Sequence, residues 1–446
     1  MQNAFEYDPN AADAEAKYGS ALYPKFKAAT GSSNYGVQLV DDAAAVPVPL
    51  RARAISDEVD MERVASWIRR CREEHGPRCV EGYLAVADHP IRVPGFFVID
   101  VNRKCLTTLP GGMEYVALSY VWGKSNHVNT TKSNVDLFRV DGAFDRVRLP
   151  KTIRDAIEVT ARLGYRFLWV DAVCIAQDDE TTKPLLIGSM DAVYGNAALT
   201  IVAASGHHAA AGFLRSRNRA NSDPESNFAV QEISPGFSLG VIPFFDGELM
   251  HCPHAQRGWT YQEGCLSPRC LVFLDGLAYF VCRTNVWRED LVAESSDILP
   301  FEGANILGKT SSEWPWGRYA DHVRAFASRD LTYPSDVLYA FSGIEKALAR
   351  SMDGTKMWYA LPAAAFDWAI LWSAPPGGRL QRRQGFPSWS WTGWAGDINM
   401  AMNTWSELDQ KWLRERTWVE WHVTNASGEY LPVWEARPGE SGSRRA

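Results

Sequence analysis

The sequence predicts an α/β protein. A parallel β-sheet with covering helices fills residues 111–285, and a tryptophan-rich α+β region, residues 286–435, packs against it. Three observations predict this. Apolar, β-branched runs recur at EYVALSYVWG (114–123), YRFLWVDAVCI (165–175) and LTIVAAS (199–205), the pattern of strands covered on both faces. Segments of helical spacing separate them, PKTIRDAIEVTARLG (150–164) and LLIGSMDAVYGNA (185–197). Finally, 14 of the 18 tryptophans fall at or after Trp287, giving that half large flat side chains suited to cores, interfaces and stacking.

The elements follow in order. Residues 1–55, rich in alanine and small polar residues, read as a flexible leader. Residues 56–110 form a lead-in. Within it DEVDMERVASWIRRCREEH (57–75) places Val59, Val64, Trp67, Ile68 and Cys71 on one helix side, and PGFFVID (94–100) reads as a strand. Gly111-Gly112 turns the chain into the first sheet strand. Pro150 opens the 150–164 helix, Ile153, Ile157 and Leu163 share its apolar face, and Gly164 stops it. The 185–197 helix carries Ile187, Met190, Val193 and Tyr194 on its apolar side. RGWTYQEGCLSPR (257–269) reads as a short helix entered from a turn, and CLVFLDGLAYFVCR (270–283) as a hairpin about Asp275-Gly276. Helices are expected near 317–328, 336–350 and 360–372. PSWSWTGW (387–394) reads as a strand with Trp389 and Trp391 on one face, RTWVEWHV (416–423) as another, and 436–446 as a disordered tail.

The bulk numbers narrow the function. The chain has 446 residues and a formal net charge of −7, so no basic field favours nucleic acid. No apolar run is long enough to span a bilayer, and the acidic N-terminus has no signal-peptide core. The eight scattered cysteines therefore read as reduced thiols of a cytoplasmic protein. The signatures of P-loop ATPases, dinucleotide-binding dehydrogenases, serine hydrolases and zinc proteases are missing from the sequence.

In a parallel sheet, ligands sit at the carboxyl ends of strands. Topology alone therefore gathers Tyr120, Trp122, Gln177, Asp178 and Asp179. Tyr120 and Trp122 offer rings to sandwich a planar base, or simply pack the sheet end. Asp171, a carboxylate inside an apolar strand, requires a partner: Arg257, a backbone N–H or a ligand hydroxyl. Cys71-x3-His75-x3-Cys79 has metal-ligand residue types at helical spacing, but structural zinc needs four ligands. No fourth is evident beyond Cys105 as a candidate. His251-Cys252-Pro-His254 has the same defect. The sequence reading accordingly assigns no metal and no resident cofactor.

The successive blocks YVALSYVWG, LPKTIRDAIEVTARLGYRFLWVDAVCIAQDD, MDAVYGNAALTIVAAS and RGWTYQEGCLSPR resemble those of the fungal heterokaryon-incompatibility (HET) domain. WIRRCREEHGPRC and FFVID resemble its usual lead-in; RDLTYPSDVLYAFSGI, FDWAILW and PSWSWTGW resemble its usual C-terminal half. The similarity covers roughly residues 65–425. It implies a sheet like that of TIR domains and a role in non-self recognition and programmed cell death. It also implies NAD as a substrate, since many TIR domains cleave it. One block departs: a glutamate and a glutamine usual after CIAQDD are here Thr182 and Leu186.

The resemblance gives Glu263 a chemical reading. TIR NAD hydrolases carry a glutamate four residues after a tryptophan, the spacing of Trp259 and Glu263. Cleaving the nicotinamide–ribose bond builds positive charge on the ribose while a cationic pyridinium leaves. No general acid is needed, unlike ordinary glycoside hydrolysis. One placed carboxylate can stabilise the developing cation, by roughly 3–4 kcal/mol where preorganised in a dry site. The competing reading is structural: a helix-terminal glutamate, paired with Arg257 or Arg269, or closing a capping box with Thr260. At the level of the whole protein, the alternative to an enzyme is an interaction module. It would signal by self-association or with another incompatibility protein.

Overall fold

The structure, a computed structural model, describes residues 35–40, 50–53, 55–81, 84–86, 89–123, 128–215, 230–234, 237–243, 245–293, 314–400, 419, 421–424 and 430–433. Its centre is an eight-stranded mixed sheet. The strands are β1 (Phe97–Asp100), β2 (Cys105–Thr108), β3 (Val116–Ser119), β4 (Phe167–Trp169), β5 (Leu199–Ala203), β6 (Arg269–Leu274), β7 (Leu277–Cys282) and β8 (Val286–Arg288), in the spatial order β8-β7-β6-β5-β3-β4-β1-β2. The four central strands, β6, β5, β3 and β4, are parallel. Antiparallel strands flank them on both sides: β1 with β2 at one edge, β7 with β8 at the other. The expected parallel sheet is thus the middle of a mixed one. All residues of β3, β4, β5 and β6 are buried, as their unbroken apolar runs require. The β6–β7 hairpin turns at Asp275 and Gly276, with φ of 47° and 83°. This is the left-handed pair that a two-residue Asp-Gly turn demands.

The helices that matter are α1 (Met61–Arg70), α2 (Lys151–Arg162), α3 (Asp171–Cys174), α4 (Thr182–Ile187), α5 (Met190–Gly195), α6 (Phe245–His251), α7 (Gly258–Leu266), α8 (Pro315–Ala327) and α9 (Val337–Ser351). Helix α2 matches its sequence pattern, with Pro150 before it and Gly164 at φ 81° after it. Two expectations are corrected. The strand read over 165–175 ends at Trp169, and residues 171–174 coil into the single turn α3. The helix read over 185–197 is two helices, because the chain breaks at Gly188-Ser189.

Two strands lie inside the stretch read as a leader, Tyr35–Val40 and Leu50–Ala52. They join Val230–Ser234, Phe237–Pro243 and Leu291–Ala293 in a second, five-stranded sheet. YGVQLV pairs in full antiparallel register with Phe237–Pro243, so its β-branched residues outweigh the alanine-rich surroundings. In PSWSWTGW the expected strand is a 3₁₀ turn, Trp391–Gly393, capped by Ser390 Oγ accepting from Thr392 N–H at 3.1 Å. Trp391 is consequently buried while Trp389 is exposed. The tail and residues 416–418 and 420 fall outside the described residues; the end of the 416–423 segment enters the strand His422–Thr424.

One apolar cluster fills the space around β1–β5, α1 and α2. A second joins Tyr261, Cys265 and Leu266 of α7 to α8, α9, Trp368 and Trp391. Helix α7 lies between the two, packed on α5, α9 and β3. Eight of its nine residues are buried, so any charge it carries is enclosed.

Candidate functional site

Glu263 sits in the middle of α7, 7% exposed. Its carboxylate accepts a short hydrogen bond from Ser119 Oγ, the last residue of β3. Ser119 Oγ also lies 2.6 Å from His254 Nε2. With Glu263 ionised, the single serine proton goes to it, and His254 is then the Nε2–H tautomer, donating to the serine. Burial pushes His254 down to about 3, helped by Arg329 and Arg257, and the ring is neutral. This is a serine held between a histidine and an acid. In a nucleophilic triad the histidine stands in the middle, so Ser119 is not an activated nucleophile. It fixes the carboxylate.

Burial raises the Glu263 carboxyl to about 7. Ser119 and Tyr194 hydrogen bonding and the Arg257 charge oppose that rise, and nearby Asp171 adds to it. Asp171 is the first residue of α3, reached directly from β4. Its Oδ1 accepts from Ala172 N–H and its Oδ2 from Trp122 Nε1, both at 2.7 Å. The surrounding protein raises it to about 6, against those two donors and Arg257. The hydroxyl of Tyr120 is buried with no hydrogen-bond partner among the described residues, and burial, with the charges of Asp171 and Glu263 adding to it, holds its pKa well above the ordinary phenol value. The carboxyl end of β3 therefore carries two carboxyls of raised pKa, an orphaned phenol and an arginine acting through space. Burial together with charge neighbours makes this cluster a candidate functional site.

The capping box and the Arg269 pair read for Glu263 are not formed. The residue before α7 is Arg257, whose side chain makes no cap. Thr260 Oγ1 donates to the carbonyls of His254 and Arg257 rather than joining a capping box. Arg269 turns away, its Nε 3.3 Å from Cys71 Sγ.

Of the sequence candidates, Tyr120, Trp122, Asp171, Arg257 and Glu263 converge. Three serve elsewhere. Trp259 directs its indole N–H to Asp336 at 3.3 Å and packs against both apolar clusters, so it ties α7 to the C-terminal region. Gln177 donates to the carbonyls of Asp171 and Ile175 at 3.0 and 3.3 Å and braces the loop under Asp171. Asp178 accepts from Lys132 N–H at 2.8 Å in a surface loop. Its neighbour Asp179 caps α4 through Thr181 and Thr182, which lowers it to about 2. Thr182 is thus a cap partner and Leu186 a core residue, in place of a polar pair.

Three site residues were missed: Ser119, His254 and Tyr194. Ser119 left a signal, since a hydroxyl inside a covered strand needs a partner. His254 was weighed only as a metal ligand. A cavity of about 390 Å³ adjoins the site, lined among others by His254, Thr260, Tyr261, Arg324 and Arg329. His254 is common to this cavity and to the hydrogen-bonded chain that ends on Glu263.

Comparison with known proteins agrees with the sequence resemblance. The family described as Heterokaryon incompatibility protein (HET) matches residues 115–263, a span that runs from β3 to Glu263 itself. Heterokaryon incompatibility protein 6, OR allele, of Neurospora crassa is 33% identical over 109 residues. That match spans 22% of this chain and 15% of the relative's own length. No solved structure matches the chain.

Proposed function

We propose that the protein acts in fungal incompatibility signalling, and that it does so by hydrolysing the nicotinamide–ribose bond of NAD or a related nucleotide. The HET match over residues 115–263 supports the process. The chemistry rests on a single observation: a carboxylate in the middle of a buried helix, held by a serine and raised to about 7. A carboxylate without a neutralising partner in a low-dielectric site is costly to the fold and well placed to meet developing positive charge.

In this reading Glu263 faces the ribose as nicotinamide departs. Ser119 and His254 hold the carboxylate in position. Trp122 and Tyr120 border the base, and the Tyr120 hydroxyl acquires its missing partner from substrate. Asp171 is suited to a ribose hydroxyl. Arg324 and Arg329, on the neighbouring cavity, suit a diphosphate. The resemblance to TIR domains that the sequence implies supplies the precedent for a single-glutamate mechanism.

A second reading, signalling by self-association without catalysis, is favoured by one observation: Thr182 and Leu186 have become a cap partner and a core residue. Expression in a fungal host separates the two. The enzyme reading expects growth arrest with falling cellular NAD from the wild type and neither from Glu263→Gln. Arrest by both proteins at constant NAD supports the interaction module.

A further inference from the structure

The lead-in and the far edge of the sheet meet at a cluster that plays no part in the carboxylate site. Helix α1 ends at Arg70, and residues 71–75 widen into a π-helical turn closed by Gly76 N–H to the Cys71 carbonyl. Such turns tend to mark functional positions. Gly76, at φ 49°, reverses the chain, and a 3₁₀ turn from Gly76 to Cys79 delivers the next cysteine. Cys282, the last residue of β7, approaches from 207 residues away in sequence. The Sγ atoms of Cys71, Cys79 and Cys282 and a ring nitrogen of His75 all lie within 4.8 Å of one another, and all four residues are buried.

We propose that Cys71, His75, Cys79 and Cys282 bind a structural zinc ion. The fourth ligand that the sequence reading lacked is Cys282; the other candidate, Cys105, lies beside Asp141 instead. His75 Nδ1 is 3.3 Å from Cys282 Sγ and 3.6 Å from Cys79 Sγ. Zinc bonds of about 2.3 Å to sulfur and about 2.0–2.1 Å to nitrogen make a tetrahedron whose sulfur–nitrogen edge is about 3.6 Å. Burial of reduced thiols in an apolar core explains each cysteine singly. It does not explain a ring nitrogen facing two sulfurs with a third alongside.

The surroundings fit a metal thiolate. Each sulfur has one polar neighbour suited to donate: Arg269 Nε at 3.3 Å from Cys71, Thr284 Oγ1 at 3.3 Å from Cys79, and Asn285 N–H at 3.2 Å from Cys282. His75 is stacked on Trp287, centroids 5.4 Å apart, which sets its ring plane. Three thiolates and one neutral imidazole around a dication carry one net negative charge, and the Arg269 guanidinium offsets it. Four protein ligands leave no open position, so the role is structural: the ion would staple α1 to β7.

Zinc content of the full chain, purified under reducing conditions without chelator, tests this. One equivalent per chain is expected, with X-ray absorption giving three sulfurs and one nitrogen at about the distances above. Cobalt substitution should give the visible bands of a tetrahedral thiolate site. Cys282→Ser should lose the metal while Cys105→Ser keeps it. Arg269→Ala should retain the ligands but weaken zinc by about 10–100-fold. The wild-type measurements stand even if Cys282→Ser fails to fold. Absence of stoichiometric zinc after reconstitution, or a disulfide among Cys71, Cys79 and Cys282 in freshly reduced-cell material, would overturn the proposal.

Discussion

At the residue scale one buried carboxyl group, Glu263, ties stability to pH. Glu263 rises from an ordinary 4.5 to about 7, so between those values the folded chain holds a proton the unfolded chain has lost. Stability therefore falls as pH climbs from 4.5 to 7 and levels off above, a loss of about 3 kcal/mol from this group. Glu263→Gln removes that dependence. It should unfold at higher urea than the wild type at pH 8 and show a flatter stability profile from pH 5 to 8. Equal pH dependence of stability in the two proteins, followed by urea unfolding from pH 5 to 8, would contradict the assignment. If catalysis needs the ionised form, turnover in the wild type rises through about pH 7. Ser119→Ala frees the carboxylate and leaves His254 Nε2–H without its acceptor. It should cost about 1–3 kcal/mol by urea unfolding. In the sequence, strand ends singled out Tyr120 and Trp122, a carboxylate inside an apolar strand singled out Asp171, and the family resemblance singled out Glu263. Ser119 and His254 were not, because their bond spans 135 positions and no local spacing encodes it.

At the element scale, unbroken apolar runs identified β3, β4 and β5, and Asp-Gly identified the β6–β7 turn. What local pattern could not supply was where an apolar run stops being strand. YRFLWVDAVCI changes from strand to helix at Asp171, whose side chain accepts its neighbour's N–H, and that change aims the carboxyl at the site. The departures at Thr182 and Leu186 are also element-level facts. Thr182→Glu, on a partly exposed cap, should shift the melting temperature little, whereas Leu186→Gln buries an amide in the core and should cost about 1–3 kcal/mol. Gly343 marks a close approach of α9 to α7. A Cβ there would meet Leu266 Cδ1 at 2.5 Å and Asp191 Cβ at 2.8 Å. Gly343→Ala should therefore destabilise by about 1–3 kcal/mol through overpacking, readable by thermal unfolding; an unchanged melting temperature would contradict this close packing.

At the scale of the whole molecule, the helix bearing Glu263 belongs to two cores at once. Its Ser119-facing side closes the sheet end, and Tyr261, Cys265 and Leu266 enter the tryptophan-rich cluster with α8 and α9. Gln262 Oε1 accepts from Gly343 N–H at 3.1 Å, and Lys346 pairs with Asp191 at 2.9 Å. The HET match ends at Glu263, yet the helix's support lies beyond it. A chain ending at residue 293 should expose this apolar surface and aggregate where the full chain stays soluble, checked by size-exclusion chromatography. The tryptophan count announced a second core but not its partner, since contacts between distant segments leave no periodicity to read.

The central claim is that Glu263 is a catalytic carboxylate, and release of nicotinamide from NAD by the purified full-length protein tests it most directly. The wild type, Glu263→Gln and Ser119→Ala would be compared at high protein concentration and pH 7.5, with folding of each checked by circular dichroism. The account predicts turnover by the wild type, its loss in Glu263→Gln and a partial loss in Ser119→Ala. Equal nicotinamide release by wild type and Glu263→Gln, or none by a folded wild type, would contradict it.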